Sequence, residues 1–298
     1  MKIKKMLEEY AAGGLFEAFK GLPSDVAERA WEIRVRVGLP LILRGAYGEH
    51  MDAYLPTSRD VSAMLERLAH HSLYAFESEI KNGFITINGG HRVGICGRVT
   101  LEDGRIKTIR HISGLTIRIA RQVIGAGQAM FDIIGKSSQS ALIISPPGAG
   151  KTTVLRDTIR LLSLSGKQVS VVDERSEIGG SYQGNRQNDL GPRTDVLDGA
   201  PKAEGTLLML RAMSPEYICV DEIGADDDVK ALMTVACCGA KILATLHGES
   251  VQNLMQKPHL APLIESKIFT RYIFLTNSPK PGTIEAVYDA DLKAVDLT

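Results

Sequence analysis

Residues 141–153 read ALIISPPGAGKTT, in which an apolar run of strand character enters a Pro/Gly turn and then the helical periodicity of VLRDTIRLLSL. Strand, glycine-rich turn and helix in that order make a phosphate site. Backbone N–H groups around Gly148 and Gly150 can curl round phosphate oxygens, Lys151 can reach the β- and γ-phosphates, and the Thr152 hydroxyl can ligate Mg²⁺. The positive end of the following helix dipole faces the same anion. The segment Ser145, Pro146, Pro147, Gly148, Ala149, Gly150, Lys151, Thr152 and Thr153 is therefore expected to hold ATP with Mg²⁺. It departs from G-x-x-x-x-G-K-[ST] at one place, where Ser145 stands for the first glycine.

Three further apolar runs end on polar residues, and in a parallel sheet the carboxyl ends of the strands form the functional face. YICVDE brings Asp221, suited to orienting Mg²⁺ through water, and Glu222, suited to polarising the attacking water. QVSVVDERSE brings Asp173, Glu174 and Glu177, with Glu174 a rival base to Glu222. KILATLHGES brings Thr245 and His247, and a histidine beside a threonine at that edge is a candidate sensor of the γ-phosphate. Charge developing on a transferred phosphoryl group also asks for an arginine. Arg175, Arg186, Arg193 and Arg211 lie in or beside these segments. The alternation of GLTIRIARQV sets Arg118 on the polar face of a strand, with Arg121 nearby, and Arg92, Arg98 and Arg110 precede them.

The elements that must position these residues follow from apolar spacing. The first twenty residues read as a helix through Ile3, Met6, Leu7, Tyr10, Leu15, Phe16 and Phe19, broken at Gly13-Gly14. WEIRVRV alternates, with Trp31, Ile33, Val35 and Val37 on one face, and LILR continues as a second strand. Thr57 or Ser58 can cap a helix with the stripe Val61, Met64, Leu65 and Leu68, which His70 and His71 follow in a surface or packing role. GFITINGGHRVGICGRV is a hairpin turning at Gly89-Gly90, and KTIRHI and GLTIRIARQV are further strands. These make a small α+β domain over 1–123. IGAGQ, 124–128, reads as a linker, and over 129–298 strands and helices alternate as in a mostly parallel sheet. Residues 178–204 form a long polar loop, and RYIFLT, TIEAVYD and KAVDL extend the sheet.

Composition narrows the function classes. The 298 residues carry 35 basic and 35 acidic side chains, so the net charge of zero offers no general attraction to nucleic acid or an anionic membrane. Cys96, Cys219, Cys237 and Cys238 lack zinc-type pairing and are expected to be reduced and buried. No apolar run approaches the ~18 residues of a membrane span. The start MKIKKMLEEYAAGGL also lacks the apolar region of a signal peptide, so a cytoplasmic chain with peripheral membrane association is expected. A RecA-like, nucleic-acid-dependent ATPase is the alternative reading, disfavoured by the charge balance and the single Trp. No [NT]KxD guanine-reading segment follows residue 222.

SPPGAGKTT, VVDERSE, RAMSPEYICVDEIG and ATLHGES, in that order, resemble the Walker A, Asp box, Walker B and His box of the secretion-superfamily ATPases of type II, type IV and pilus-retraction systems. GFITINGGHRVGICGRV and SPPGAGKTTVLRD are similar to the sporulation branch of that superfamily in endospore-forming bacteria. The resemblance implies a RecA-like P-loop core behind an N-terminal domain and a hexameric ATPase in the mother-cell cytoplasm. Its partners would be the membrane-embedded proteins of a sporulation channel complex between mother cell and forespore. It further implies that arginines of the N-terminal domain, here Arg118 and Arg121, close over nucleotide held by a neighbouring subunit. Two departures stand out: Asp221 replaces the glycine that many members carry before the Walker B glutamate, and the type II tetracysteine module is absent.

Overall fold

Alternate apolar residues along the strands organise the first half of the chain, and near-continuous apolar runs the second. The structure, a computed structural model, describes residues 2–70, 72, 76–135 and 137–296 and divides into two units, Met1–Arg121 and Gln122–Thr298.

The first unit runs α1 (Lys2–Tyr10), α2 (Gly13–Gly21), α3 (Ser24–Arg29), β1 (Ala30–Arg36), β2 (Leu39–Gly45), β3 (Gly48–Asp52), α4 (Ser58–Leu68), α5 (Glu77–Lys81), β4 (Phe84–Ile87), β5 (His91–Glu102) and β6 (Arg105–Arg118). Its strands form one antiparallel sheet in the order β3-β2-β1-β6-β5-β4. Ile33, Val35, Leu41, Leu43, Val93, Leu115 and Ile117 are buried, as are Leu7, Leu15 and Phe19 of the first two helices and the stripe Val61, Met64, Leu65, Leu68 of α4. Trp31 does not share the face of Ile33 as its alternation suggests. A register shift between Ala30 and Glu32 in the pairing with β2 turns it outward, and it is 49% exposed.

Three further local readings change. The helix α4 stops at Leu68, so His70 sits beyond it in a left-handed conformation (φ 48°), while His71 lies outside the described residues. Ile87 pairs with His91, leaving a three-residue connection Asn88–Gly90 rather than a two-residue one. KTIRHI and GLTIR belong to one strand, β6, which ends at Arg118 before IARQV. A register shift after Cys96 absorbs the extra residues, and Gly97 permits the crossing: a Cβ there would stand 2.7 Å from the Arg110 carbonyl oxygen.

The second unit runs α6 (Gln128–Ile134), β7 (Ala141–Ser145), α7 (Lys151–Leu164), β8 (Val169–Asp173), β9 (Thr194–Asp198), α8 (Lys202–Met213), β10 (Tyr217–Glu222), α9 (Asp226–Cys237), β11 (Lys241–His247), α10 (Val251–Met255), α11 (Ala261–Glu265), β12 (Arg271–Thr276) and β13 (Thr283–Tyr288). The sheet order is β13-β12-β7-β11-β10-β8-β9, parallel throughout except for β13. Every residue of β7 is buried because helices cover both faces. Ala141 and Ile143 pack with Met130 and Ile134 of α6 and with Val154, Leu155, Ile159 and Leu162 of α7. Leu142 and Ile144 pack with Met209 of α8 and with Val229, Leu232 and Val235 of α9.

Residues 178–204 are not wholly a loop: β9 forms the sheet edge within them. The expected linker is also largely absorbed into the second unit. Gln128 opens α6, and the Gly127 amide donates to the buried Asp157 carboxylate of α7 at 2.8 Å. A side chain at Gly127 would collide with α7, its Cβ standing 2.4 Å from the Thr158 nitrogen. Among the described residues KAVDL adds an isolated bridge, Tyr288 to Ala294, and no further strand. All four cysteines are free, and only Cys219 is buried, against the expectation for Cys96, Cys237 and Cys238, whose positions leave the thiols at the surface.

The start of α4 shows how strongly a short motif is fixed. Thr57 Oγ1 accepts from the Asp60 amide, and the Asp60 carboxylate accepts from the Thr57 amide at 2.8 Å, the Thr57 hydroxyl at 2.7 Å and the Tyr54 hydroxyl at 2.9 Å. Asp60→Ala should destabilise the fold by about 1–2 kcal/mol. Scanning calorimetry of the full chain should then show a lower transition temperature, partly recovered by Asp60→Asn.

Candidate nucleotide site

The strand order decides which side chains meet. β11 lies between β7 and β10, with His247 in register with Ser145 and Thr245 in register with Glu222. Parallel neighbours stand ~4.8 Å apart, so a side chain leaving the end of β11 can touch groups from both flanking strands. His247 does this. Its Nδ1 is 2.8 Å from Lys151 Nζ and its Nε2 is 3.2 Å from Glu222 Oε2. A neutral imidazole with the proton on Nε2 accepts from the ammonium and donates to the carboxylate at once.

Lys151, at the first position of α7, is only 8% exposed. Its ammonium donates to the Ser145 carbonyl at 3.0 Å and to Ser145 Oγ at 3.3 Å. Burial pushes its pKa below the usual lysine value, the Glu222 and Asp221 carboxylates oppose that shift, and Lys257 reinforces it. Gly148 (φ 75°) and Gly150 (φ 83°) take left-handed conformations that open the loop. Ser145 does not, which explains why its departure from glycine is tolerated: the position ends β7, and its hydroxyl becomes a lysine acceptor. The turn between β12 and β13 supports the loop from behind, where the Gly282 amide donates to the Ala149 carbonyl at 2.9 Å and a Cβ on Gly150 would stand 3.1 Å from the Gly282 nitrogen.

An open cavity of about 400 Å³ adjoins the loop. It is lined by Gly148, Gly150, Lys151, Thr152, Thr153, Arg175, Glu177, Asp221, Glu222, Thr245 and His247. The four motifs thus converge on one space. Asp221 accepts from the Thr245 hydroxyl at 3.2 Å, and Lys257 donates to the His247 carbonyl, holding the turn after β11. Glu174 is not brought in. Its carboxylate pairs with Lys202 at 2.8 Å, and Glu177 takes the place at the cavity wall.

Glu177 is delivered by an arch that sequence spacing does not reveal. Asp173 ends β8 fully buried, and its carboxylate accepts from the amides of Glu177 (2.8 Å), Ile178 (3.0 Å) and Gly179 (2.7 Å). From the other side Arg156 of α7 donates to the carbonyls of Ile178 (3.0 Å) and Glu177 (2.6 Å). Burial raises the Asp173 pKa to about 6, outweighing the three amides that stabilise the anion. Arg156 shares its helix face with Thr152, Thr153 and Arg160, so its spacing alone gives no sign of this role.

The N-terminal arginines belong to the first unit's own structure. Arg121 donates to the carbonyls of Glu28 (3.0 Å) and Ala30 (2.9 Å), closing the junction of α3 and β1. Arg118 is exposed and lines a hollow with Arg34 and Arg92. Arg186 and Arg193 donate to backbone carbonyls, of Thr194 and Ser163, and Arg211 to that of Leu207.

A glycine-rich loop between a buried strand and a helix, with acidic ends on the neighbouring parallel strands, defines a RecA-like P-loop NTPase core behind an α+β unit. Comparison with known proteins agrees. The fold is similar to that of the Legionella pneumophila ATPase DotB (TM-score 0.55, 16% identity, 82% of this chain and 72% of that one). It is also similar to the pilus retraction motor PilT, solved with bound ADP (TM-score 0.57, 13% identity, 84% of this chain and 75% of that one). Residues 14–295 match the family sporulation stage III, protein AA, and the chain belongs to it. The Stage III sporulation protein AA of Bacillus subtilis (strain 168) is 41% identical over 293 residues, 95% of each chain.

Asp173 supplies a stability test. Its folded pKa, raised to about 6 from the ordinary 3.8, means that the native state takes up a proton before the unfolded chain does. Ionised Asp173 therefore weakens the fold at neutral pH, and the weakening is relieved as the pH falls through 6. Relative to Asp173→Asn, the wild type should gain about 1 kcal/mol between pH 7 and pH 5. Melting temperatures of both chains at the two pH values measure it, and a wild-type advantage that shrinks on acidification contradicts the assignment.

Proposed function

We propose that the protein is an ATP-hydrolysing motor of the secretion-ATPase type, with ATP held by residues 145–153 and hydrolysed at the Glu222 edge. The observation that carries this reading is the Lys151–His247–Glu222 chain beside the glycine-rich cavity. It gathers a phosphate-binding cation at the start of α7 with a polar sensor and a base on two neighbouring strand ends.

Lys151 exchanges its Ser145 and His247 acceptors for oxygens of the β- and γ-phosphates. His247 then reports that exchange to Glu222, because the same ring touches both groups. Glu222 takes a proton from the attacking water, whose oxygen bonds to the γ-phosphorus while the bond to the β–γ bridging oxygen breaks and ADP leaves with the electron pair. Thr152 and Asp221 fit a Mg²⁺ site: both line the cavity, and a hydroxyl and one carboxylate alongside substrate phosphates are donors this ion accepts. When bound, it neutralises charge on the β- and γ-oxygens. Among the described residues no group of three or more His, Cys, Asp and Glu is arranged to hold a metal by itself.

The working form we infer is a ring of six copies in the mother-cell cytoplasm, passing hydrolysis-driven motion to membrane-embedded proteins of a sporulation channel complex between mother cell and forespore. The family membership supports the sporulation setting, and the likeness to DotB and PilT supports the motor fold. No helix among the described residues is long and apolar enough to cross a membrane. Arg118 remains available for a contribution across a subunit interface, whereas Arg121 is committed to its own unit.

Lys151→Ala should abolish useful ATP binding in an equilibrium titration while the fold survives; unchanged affinity contradicts the site. Glu222→Gln should keep ATP bound and slow single-turnover hydrolysis by roughly a hundredfold or more, with Glu174→Gln costing far less. Reversed effects of the two glutamate changes would move the base to the 174–177 arch.

A further inference from the structure

The cavity beside the glycine-rich loop is lined by three acids, Glu177, Asp221 and Glu222, and by only two permanent cations, Lys151 and Arg175. Lys151 already spends its donors on Ser145 and His247. Of the arginines considered for the site, Arg175 is the one that lines this cavity. Its side chain is exposed at the cavity wall and makes no hydrogen bond or ion pair among the described residues.

The backbone around it is nevertheless held on both sides. Before it, the Glu174 carboxylate pairs with Lys202 at 2.8 Å. After it, Ser176 adopts a left-handed conformation (φ 53°) and its hydroxyl donates to Asp198 of β9 at 2.7 Å. Asp173 and Arg156 fasten the remainder of the arch. Holding a partnerless guanidinium on a fastened loop costs side-chain freedom when a ligand engages it, yet little backbone reorganisation, which suits a group that meets charge formed in a transition state.

We propose that Arg175 is a catalytic residue acting within its own subunit, its guanidinium meeting the oxygens of the γ-phosphoryl group as that group passes from ADP to water. The inference rests on the reading that this cavity takes ATP. It gives the 173–179 arch a purpose that Glu177 alone does not: the arch brings a second cation to the cavity that Lys151 lines. The N–H donors of a guanidinium match two phosphoryl oxygens at once, so a lysine replaces it incompletely.

The test uses the full chain as wild type, Arg175→Ala, Arg175→Lys and Lys151→Ala. Arg175→Ala should keep the wild-type melting temperature, bind a non-hydrolysable ATP analogue within about threefold of wild type, and lose about a thousandfold in single-turnover hydrolysis. Arg175→Lys should recover part of that loss. Mixing Arg175→Ala with Lys151→Ala chains should restore nothing, because no copy then carries both groups. Wild-type hydrolysis by Arg175→Ala overturns the proposal, as does a loss of analogue affinity equal to the loss of rate. Restoration on mixing also overturns it, by showing that Arg175 acts across subunits. A wild-type chain that neither binds nor hydrolyses ATP overturns instead the reading on which the proposal rests.

Discussion

A charged amine buried at the start of a helix needs acceptors, and the second unit is built so that Lys151 finds them. Removing an ammonium from water is costly unless its protons are taken up. Here the Ser145 carbonyl and hydroxyl and His247 Nδ1 receive them, with Asp221 and Glu222 supplying opposite charge nearby. Ser145 is placed by the loop itself, whereas His247 is brought there by sheet order. Only with β11 inserted between β7 and β10 can one imidazole join the first helical residue of α7 to the carboxylate that ends β10. The two apolar clusters on opposite faces of the sheet keep those strand ends level, so packing far from the cavity sets its geometry.

Much of this was readable in the residues because the decisive patterns are local. ALIIS into GKTT states strand, turn and helix within a dozen positions, and VDE, VVDE and ATLH each announce a polar strand end. Which strand end faces the loop is not local. Glu174 and Glu177 are both acids just beyond β8; the pairing of Glu174 with Lys202 and the amides gathered by Asp173 decide between them, and both depend on contacts made across the fold. Strand β9 escaped for a similar reason. TDVLD is short and half polar, as an edge strand can be, and only its pairing with β8 identifies it.

The first unit shows where alternation misleads. A register shift after Ala30 exposes Trp31, and another after Cys96 lets a single strand absorb residues that look like a break. Bulges leave no compositional mark beyond an occasional glycine such as Gly97. The same sheet sets Arg92 directly opposite Arg118, a like-charge pair that disfavours the ladder unless something offsets it. Arg92 lies over the Phe84 ring at 3.6 Å from its centroid, which disperses part of that charge. Arg118 has no such partner, and it is the arginine of the two that stays open to an anion.

On the proposed reading, charge at the cavity would couple nucleotide and divalent cation. Glu177, Asp221 and Glu222 outnumber Lys151 and Arg175 at the cavity wall, so the attraction for a polyphosphate has to come largely from the loop amides and the N-terminus of α7. A divalent cation bound with the polyphosphate would add to it. Affinity for nucleotide and affinity for the cation must then rise together, by the reciprocity that holds for any two linked ligands. His247 adds a second linkage. It bridges Lys151 and Glu222, so on the proposed reading drawing the lysine towards phosphate would change the partner that Glu222 feels, and occupancy of the loop would reach that carboxylate through a single ring.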